Sequence, residues 1–257
     1  MSLSTALSPQ DESPQQAWRA LRDAACAPYK ASGRFAWHWA RGKLGRDPVF
    51  RGMLERGDLP AQARVVDIGC GQGLMASLLH ACATAERWPA AWATAPSARA
   101  YTGIELMQRD VDRGHPALHA LPFTPRLVCA DMREAVLPAC DLVVILDVLH
   151  YVDVAAQDAV LRRVRDALRR GTADSRTQRA PRLLLRVGDA ASRRGFAISQ
   201  WVDRLVTTVR GHRVAPTWGR PLAAWVQQLR SLGFEVQSVP MSQGTPFANV
   251  LLVADLK

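Results

Sequence analysis

The stretch "VVDIGCGQGL", Val65 to Leu74, sets an apolar run against three glycines two residues apart, Gly69, Gly71 and Gly73, and opens onto "LMASLLHAC". This pattern reads as a strand, a tight loop and a helix. Glycines at such a turn let the backbone fold sharply and let a ligand approach the amides at the helix start. The spacing is G-x-G-x-G, not the G-x-G-x-x-G of dinucleotide-binding loops. An acid, Asp67, stands two residues before the first glycine. A carboxylate there is a poor neighbour for a pyrophosphate and a good one for a ligand carrying an ammonium group.

Outward from this loop the chain alternates strands with helices. "RVVDIGC", "AYTGIEL", "PRLVCAD", "CDLVVILDVLH" and "PRLLLRVGD" are strand-length, aliphatic and bounded by breakers. The clearest helix between them runs from Asp153 through "VAAQDAVLRRVRDALRR" to Gly171. Near-continuous apolar strands separated by helices predict a parallel α/β sheet covered on both faces. The end of the chain departs from that rhythm. The helix "PLAAWVQQLRSLG" is followed by "FEVQSVPM" and "ANVLLVADLK", joined by "SQGTPF", which predicts an antiparallel hairpin.

Residues 1–60 read as a helical cap preceding a domain at 61–257. Ser13-Pro14 and Asp47-Pro48 are each an N-cap followed by Pro, Ser32 can cap "GRFAWHWARGK", and Gly57 stops the third helix. Within "YKASGRFAWHWARGKL", Phe35, His38, Trp39 and Gly42 share one helical face. The Ala- and Pro-rich segment 83–99 reads as a surface excursion. Residues 196–213 place Ile198, Trp201, Val202, Leu205, Val206 and Val209 on one stripe, an amphipathic insertion expected to act as a lid.

The formal charge is +10, and between Leu161 and Arg213 there are 14 Arg against four acids. Such an excess suits an anionic partner, yet 30 of the 33 basic residues are Arg in an Ala-rich chain, which points to compositional bias. Five Cys without a C-x-x-C pair argue against a disulfide framework and a thiolate zinc site. The polar start and the lack of a long apolar run predict a cytoplasmic protein with no spanning segment, with peripheral membrane contact left open.

At the loop Asp67–Gly73 the sequence resembles the class I S-adenosylmethionine-dependent methyltransferases, and the resemblance extends in order from Ala63 to Lys257. It implies a Rossmann-like, seven-stranded, mostly parallel sheet with an antiparallel C-terminal hairpin strand. It also implies S-adenosyl-L-methionine as cofactor and S-adenosyl-L-homocysteine as product. Asp67, Gly69, Cys70, Gly71 and Gly73 then form the first motif. Glu105, ending "YTGIEL", would hold both ribose hydroxyls, since a carboxylate accepts two hydrogen bonds at once. Leu106 would flank it, Asp131 and Met132 of "LVCADMRE" would meet the adenine, and Asp147 of "DLVVILDVLHYV" would face the methyl donor. A nicotinamide-binding domain is the competing reading, but Glu105 lies 32 residues beyond Gly73 rather than about 20.

Methyl transfer is an in-line displacement that needs alignment and, for some acceptors, removal of a proton. "DVLHY" lacks the [DN]-P-P-[YF] motif with which relatives hold a planar nitrogen, so the resemblance favours O- or C-methylation of a small molecule. His150 is the best-placed candidate base, with Tyr151 beside it. Tyr29, Phe35, His38, Trp39 and Trp201 are expected to wall the substrate pocket. A narrower resemblance links the N-terminal and C-terminal segments to bacterial methyltransferases of aryl polyene and xanthomonadin-type pigment clusters. It implies a hydroxylated aryl acceptor, free or on an acyl carrier protein. His115 and His119, interrupted by Pro116, do not make a metal site. An RNA or ribosomal methyltransferase and a non-catalytic partner of a synthase complex are the alternatives; the loop and Glu105 disfavour the second, and nucleic acid is not the favoured partner.

Overall fold

The computed structural model of the chain describes residues 13–174, 176, 179–188, 217–241 and 249–257. Four helical segments come first: α1 (Pro14–Cys26), a 3-10 helix (Ala27–Ser32), α2 (Arg34–Arg46) and α3 (Pro48–Arg56). Two of the three expected starts are capped as the sequence implies. Ser13 and Gln16 close a capping box, and Asp47 Oδ1 accepts from the Val49 amide at 3.1 Å. The third differs: α2 is capped by Gly33 at φ 93°, and Ser32 belongs to the 3-10 helix with its hydroxyl buried and without a partner. A residue so placed cannot present its side chain to the start of α2.

The expected seven strands form one sheet: β1 (Ala63–Ile68), β2 (Ala98–Glu105), β3 (Arg126–Cys129), β4 (Leu142–Leu146), β5 (Arg182–Gly188), β6 (Phe234–Pro240) and β7 (Asn249–Leu256). Their order is β3-β2-β1-β4-β5-β7-β6. The first five run parallel, and β7 lies antiparallel between β5 and β6. This is the Rossmann-like sheet with a C-terminal hairpin strand. The join at 242–248 lies outside the described residues, as does the amphipathic segment 196–213 with Trp201.

Alternation along the strands sends neighbouring side chains to opposite faces. Val65 joins a core with α1, α2, α3, α4 (Leu74–Ala83) and α5 (Gln108–Leu118), while Val66 joins one with α6 (Val154–Gly171) and α7 (Leu222–Ser231). The N-terminal helices thus share one apolar cluster with the sheet. The helix α5 carries Pro116 in its last turn, which hid its periodicity. The segment before β2 packs through Trp92, 8% exposed, with Trp88 donating to the Ala93 carbonyl at 2.6 Å.

On α2 the buried stripe is Ala36, Ala40 and Leu44. Phe35 is 59% exposed and His38 is exposed, while Trp37 and Trp39 are half-buried and pack against the core. Small residues win because they let α2 approach its neighbours closely. Among the described residues, no helix is long and apolar enough to cross a membrane, and all five cysteines are free thiols.

Candidate functional site

Parallel strands place their carboxyl ends, and the loops that follow, along one edge of the sheet, where ligands of such folds gather. The first of these loops follows β1. Gly69, Gly71 and Gly73 adopt φ of 76°, 57° and 74°, a left-handed series that side-chain-bearing residues resist. At Gly69 there is no room either, since a Cβ would stand 2.4 Å from Val148 Cγ1. The loop is tied to β2 by the amides of Gly69 and Cys70, which donate to the Ile104 carbonyl at 2.8 and 3.2 Å.

Glu105 ends β2 half-buried. Its Oε2 accepts from the Gly71 amide at 2.9 Å and its Oε1 from the Met107 amide at 3.0 Å. The carboxylate is therefore fixed at the loop, and each oxygen retains acceptor capacity. Beside it Leu106 is 61% exposed, a large apolar side chain at a strand end. Cys70 is buried, with its thiol pushed well up by burial.

Asp67 lies beneath the loop, 6% exposed. Its Oδ2 accepts from the Tyr101 hydroxyl at 2.6 Å, and no cation among the described residues pairs with it. Burial pushes its carboxyl up to about 7; the Tyr101 hydrogen bond opposes this and the charge of Glu105 adds to it. Tyr101 was not among the residues that sequence reasoning singled out. Its only signal is a polar aromatic at an otherwise aliphatic strand position, three residues before Ile104.

Asp131, after β3, is committed to Arg133. Its Oδ1 caps the Arg133 amide at 2.8 Å, and the guanidinium pairs with both oxygens, which holds the carboxyl below its usual range. An adenine amino group would have to share that carboxylate. Met132 is half-buried against the second core. The loop's carbonyls at Met132 and Arg133 receive Arg163 of α6, at 2.9 and 2.7 Å.

Asp147 follows β4 at φ 59° and is paired with Arg186, whose Nε donates to its Oδ1 at 2.8 Å and whose Nη2 donates to its Oδ2. The same guanidinium, 3% exposed, pairs with Asp47 Oδ2 at 2.7 Å. Lys43 completes the chain at 2.8 Å from Asp47. Burial notwithstanding, the Arg186 and Lys43 partners drive the Asp47 carboxyl far below its usual range. This run of alternating charges joins the N-terminal helices to the end of β4. Its members are too distant in sequence to have been paired by inspection.

His150 and Tyr151 occupy a short 3-10 turn, Leu149–Tyr151, just past β4. Their rings tilt against each other with centroids 4.2 Å apart, and the His150 carbonyl accepts from the Trp218 amide at 2.8 Å. His150 is half-buried and Tyr151 39% exposed.

The expected pocket wall is only partly assembled. Trp39 lies over the glycine loop: a Cβ on Gly71 would be 3.3 Å from its Cη2. Phe35 is stacked under the Arg113 guanidinium, 4.5 Å from the ring centroid, at the surface. His38 is exposed and packs against Trp37. Tyr29 corrects the sequence reading: it is fully buried and donates to the Gln72 carbonyl at 2.9 Å, so it backs the loop instead of lining a pocket. Trp201 lies outside the described residues. Part of the Arg excess is internal, since Arg163, Arg170, Arg182 and Arg186 all bind backbone or carboxylate partners.

Comparison with known proteins gives a coherent picture. Residues 36–239 match the family model described as a methyltransferase domain. No curated protein matches the chain in sequence. Among solved structures, an O-methyltransferase family protein from Burkholderia thailandensis is similar with a TM-score of 0.55 at 14% identity, covering 89% of this chain and 62% of that one. Magnesium protoporphyrin IX methyltransferase from Synechocystis with bound S-adenosylhomocysteine gives 0.50 at 16% identity, covering 96% of both. Mitomycin 7-O-methyltransferase gives 0.51 at 20%, covering 96% of this chain and 73% of that one.

Proposed function

The chain belongs to the methyltransferase-domain family, and on that premise we propose that it transfers a methyl group from S-adenosylmethionine to a hydroxylated aromatic small molecule, on oxygen or on a ring carbon. The observation that carries the cofactor half of this reading is Glu105. Its carboxylate is pinned by two backbone amides at the end of β2, with acceptor capacity left for a vicinal diol.

The surrounding residues fit the same ligand. Leu106 offers an uncovered apolar side chain beside Glu105, and the half-buried Met132 a second apolar one, suited to the two faces of an adenine. Asp67 is a buried acid with no cation paired to it among the described residues, which suits a site for an ammonium or sulfonium. The left-handed glycines shape the loop, and Trp39 covers it at Gly71.

When bound, S-adenosylmethionine supplies an electrophilic methyl group. The protein's part is to orient the acceptor, exclude water and take a proton. Trp39 packs on the loop at Gly71, and Val148, at the head of the turn after β4, packs on it at Gly69. His150 is the residue we assign to remove the acceptor's hydroxyl proton, with Tyr151 packed on its ring. A phenolate so formed is nucleophilic at its oxygen and at the adjacent ring carbons. The narrower proposal, an aryl head group of a pigment pathway, free or on an acyl carrier protein, rests on the sequence resemblance.

Calorimetric titration with S-adenosylhomocysteine and with NAD tests the cofactor. Micromolar binding of the first and none of the second is expected; the reverse would discard the reading. Turnover is then sought with hydroxybenzoate-type phenols, free and carrier-bound. Mass spectrometry and NMR of the product locate the methyl group.

A further inference from the structure

Three separate contacts run from the N-terminal helices to the glycine loop and its support. The Tyr29 hydroxyl donates to the Gln72 carbonyl at 2.9 Å. The Ser77 hydroxyl, one turn into α4, donates to the Ala25 carbonyl at 2.7 Å, which fixes the end of α1 just ahead of the turn that carries Tyr29. The third is the Trp39 indole against Gly71.

Gln72 is the pivotal residue of the loop. It stands between two left-handed glycines, a backbone path that side-chain-bearing neighbours would resist. Its side chain is 1% exposed, and its Oε1 has no donor among the described residues. Its carbonyl, by contrast, is held by a phenol that is itself fully buried. Packing adds a second restraint, because Gly114 of α5 lies so close that a Cβ there would stand 2.8 Å from the Gln72 carbonyl oxygen. The Gln72 peptide is thereby held from behind by residues outside the loop's own strand and helix.

We propose that Tyr29 is a positioning residue of the cofactor site: its hydroxyl fixes the Gln72 peptide, and through it the amides of the glycine loop, in the ligand-binding arrangement. The N-terminal helical segment is then a working part of that site, not a separable cover. Buried hydroxyl-to-carbonyl bonds are costly to leave unmade, and this one holds the loop from behind, whereas the Gly69, Cys70 and Gly71 amides tie it to β2. This inference rests on the cofactor reading given above.

The test is Tyr29→Phe in the full chain, with S-adenosylhomocysteine as probe and calorimetry as readout. Leu21→Ala serves as control: it destabilises the same N-terminal core from a buried position on α1 and leaves the Tyr29 hydroxyl in place. Tyr29→Phe should weaken the affinity about tenfold at a temperature where it is fully folded. Leu21→Ala should lower the melting temperature more and leave affinity within about twofold. Equal affinity in Tyr29→Phe and wild type overturns the inference, as does an equal loss in both variants, which would reflect general loosening. Absence of binding in the wild type instead overturns the cofactor reading. Should Tyr29→Phe fail to fold, Ser77→Ala replaces it; an affinity loss of about threefold is then expected, and no loss refutes the role.

Discussion

Asp67 gives the sharpest handle on the reasoning, because a buried carboxyl without a cation couples folding, pH and ligand charge. Its carboxyl rises from the ordinary 3.8 to about 7 in the folded chain, chiefly through burial. Between those values the folded state holds one proton that the unfolded state has lost, so stability must fall as pH rises. The contribution is fully present below about pH 4 and gone above about pH 7. Three pH units at 1.36 kcal/mol each make the whole effect about 4 kcal/mol. Between pH 5 and pH 7 the wild type should lose about 2 kcal/mol on this account. Asp67→Asn keeps an acceptor for the Tyr101 hydroxyl and cannot titrate, so its stability relative to wild type should climb by that amount across the same interval. Urea denaturation of both proteins at half-unit pH steps measures it, and the histidines, present in both, cancel in the difference. A ligand bearing an ammonium group should favour the ionised carboxylate. Wild-type affinity should therefore increase by up to tenfold per unit as pH approaches 7 and then level off, whereas Asp67→Asn should show weaker binding and no such rise. Parallel stability curves for the two proteins would refute the account of Asp67 as a solitary buried acid.

Three further outcomes follow from the same geometry. Glu105→Ala removes the group held by the Gly71 and Met107 amides, and should weaken S-adenosylhomocysteine binding at least 100-fold in a titration, with the fold intact by circular dichroism. His150→Ala should leave that affinity within a factor of two and lower turnover of the true acceptor about 100-fold; full retained turnover would remove His150 as the base. Arg186→Met leaves Asp47 and Asp147 facing each other across a buried position, and should cost about 3 kcal/mol in denaturant unfolding at neutral pH.

Local chemistry explains which parts of this molecule could be read from the sequence. Each strand, the glycine loop and the caps at Ser13, Asp47 and Asp153 depend on residues adjacent in the chain, and each is found where the sequence puts it. Glu105 was legible for the same reason: a strand end is a local feature, and its ladder partner Cys129 ends the next strand in register. What escaped were features decided by distant partners. Arg186 meets Asp47 across 139 residues, and Tyr101 meets Asp67 across 34, so neither pairing leaves a periodic trace. Helix α2 shows how distant partners divide the faces of one helix. Its aromatic stripe and its alanine stripe both have helical spacing, and hydrophobicity favours the first. Close packing against α1 and α3 instead selects Ala36, Ala40 and Leu44, because only small side chains admit a neighbouring helix at short range. The aromatic residues flank that stripe, where the half-buried Trp39 reaches the glycine loop and the exposed Phe35 meets Arg113. Tyr29 goes the opposite way, drawn inward by a carbonyl that no other described group satisfies. The basic, aromatic segment at 29–44 therefore acts from two sides of one loop: behind it through a phenol, and in front of it through an indole.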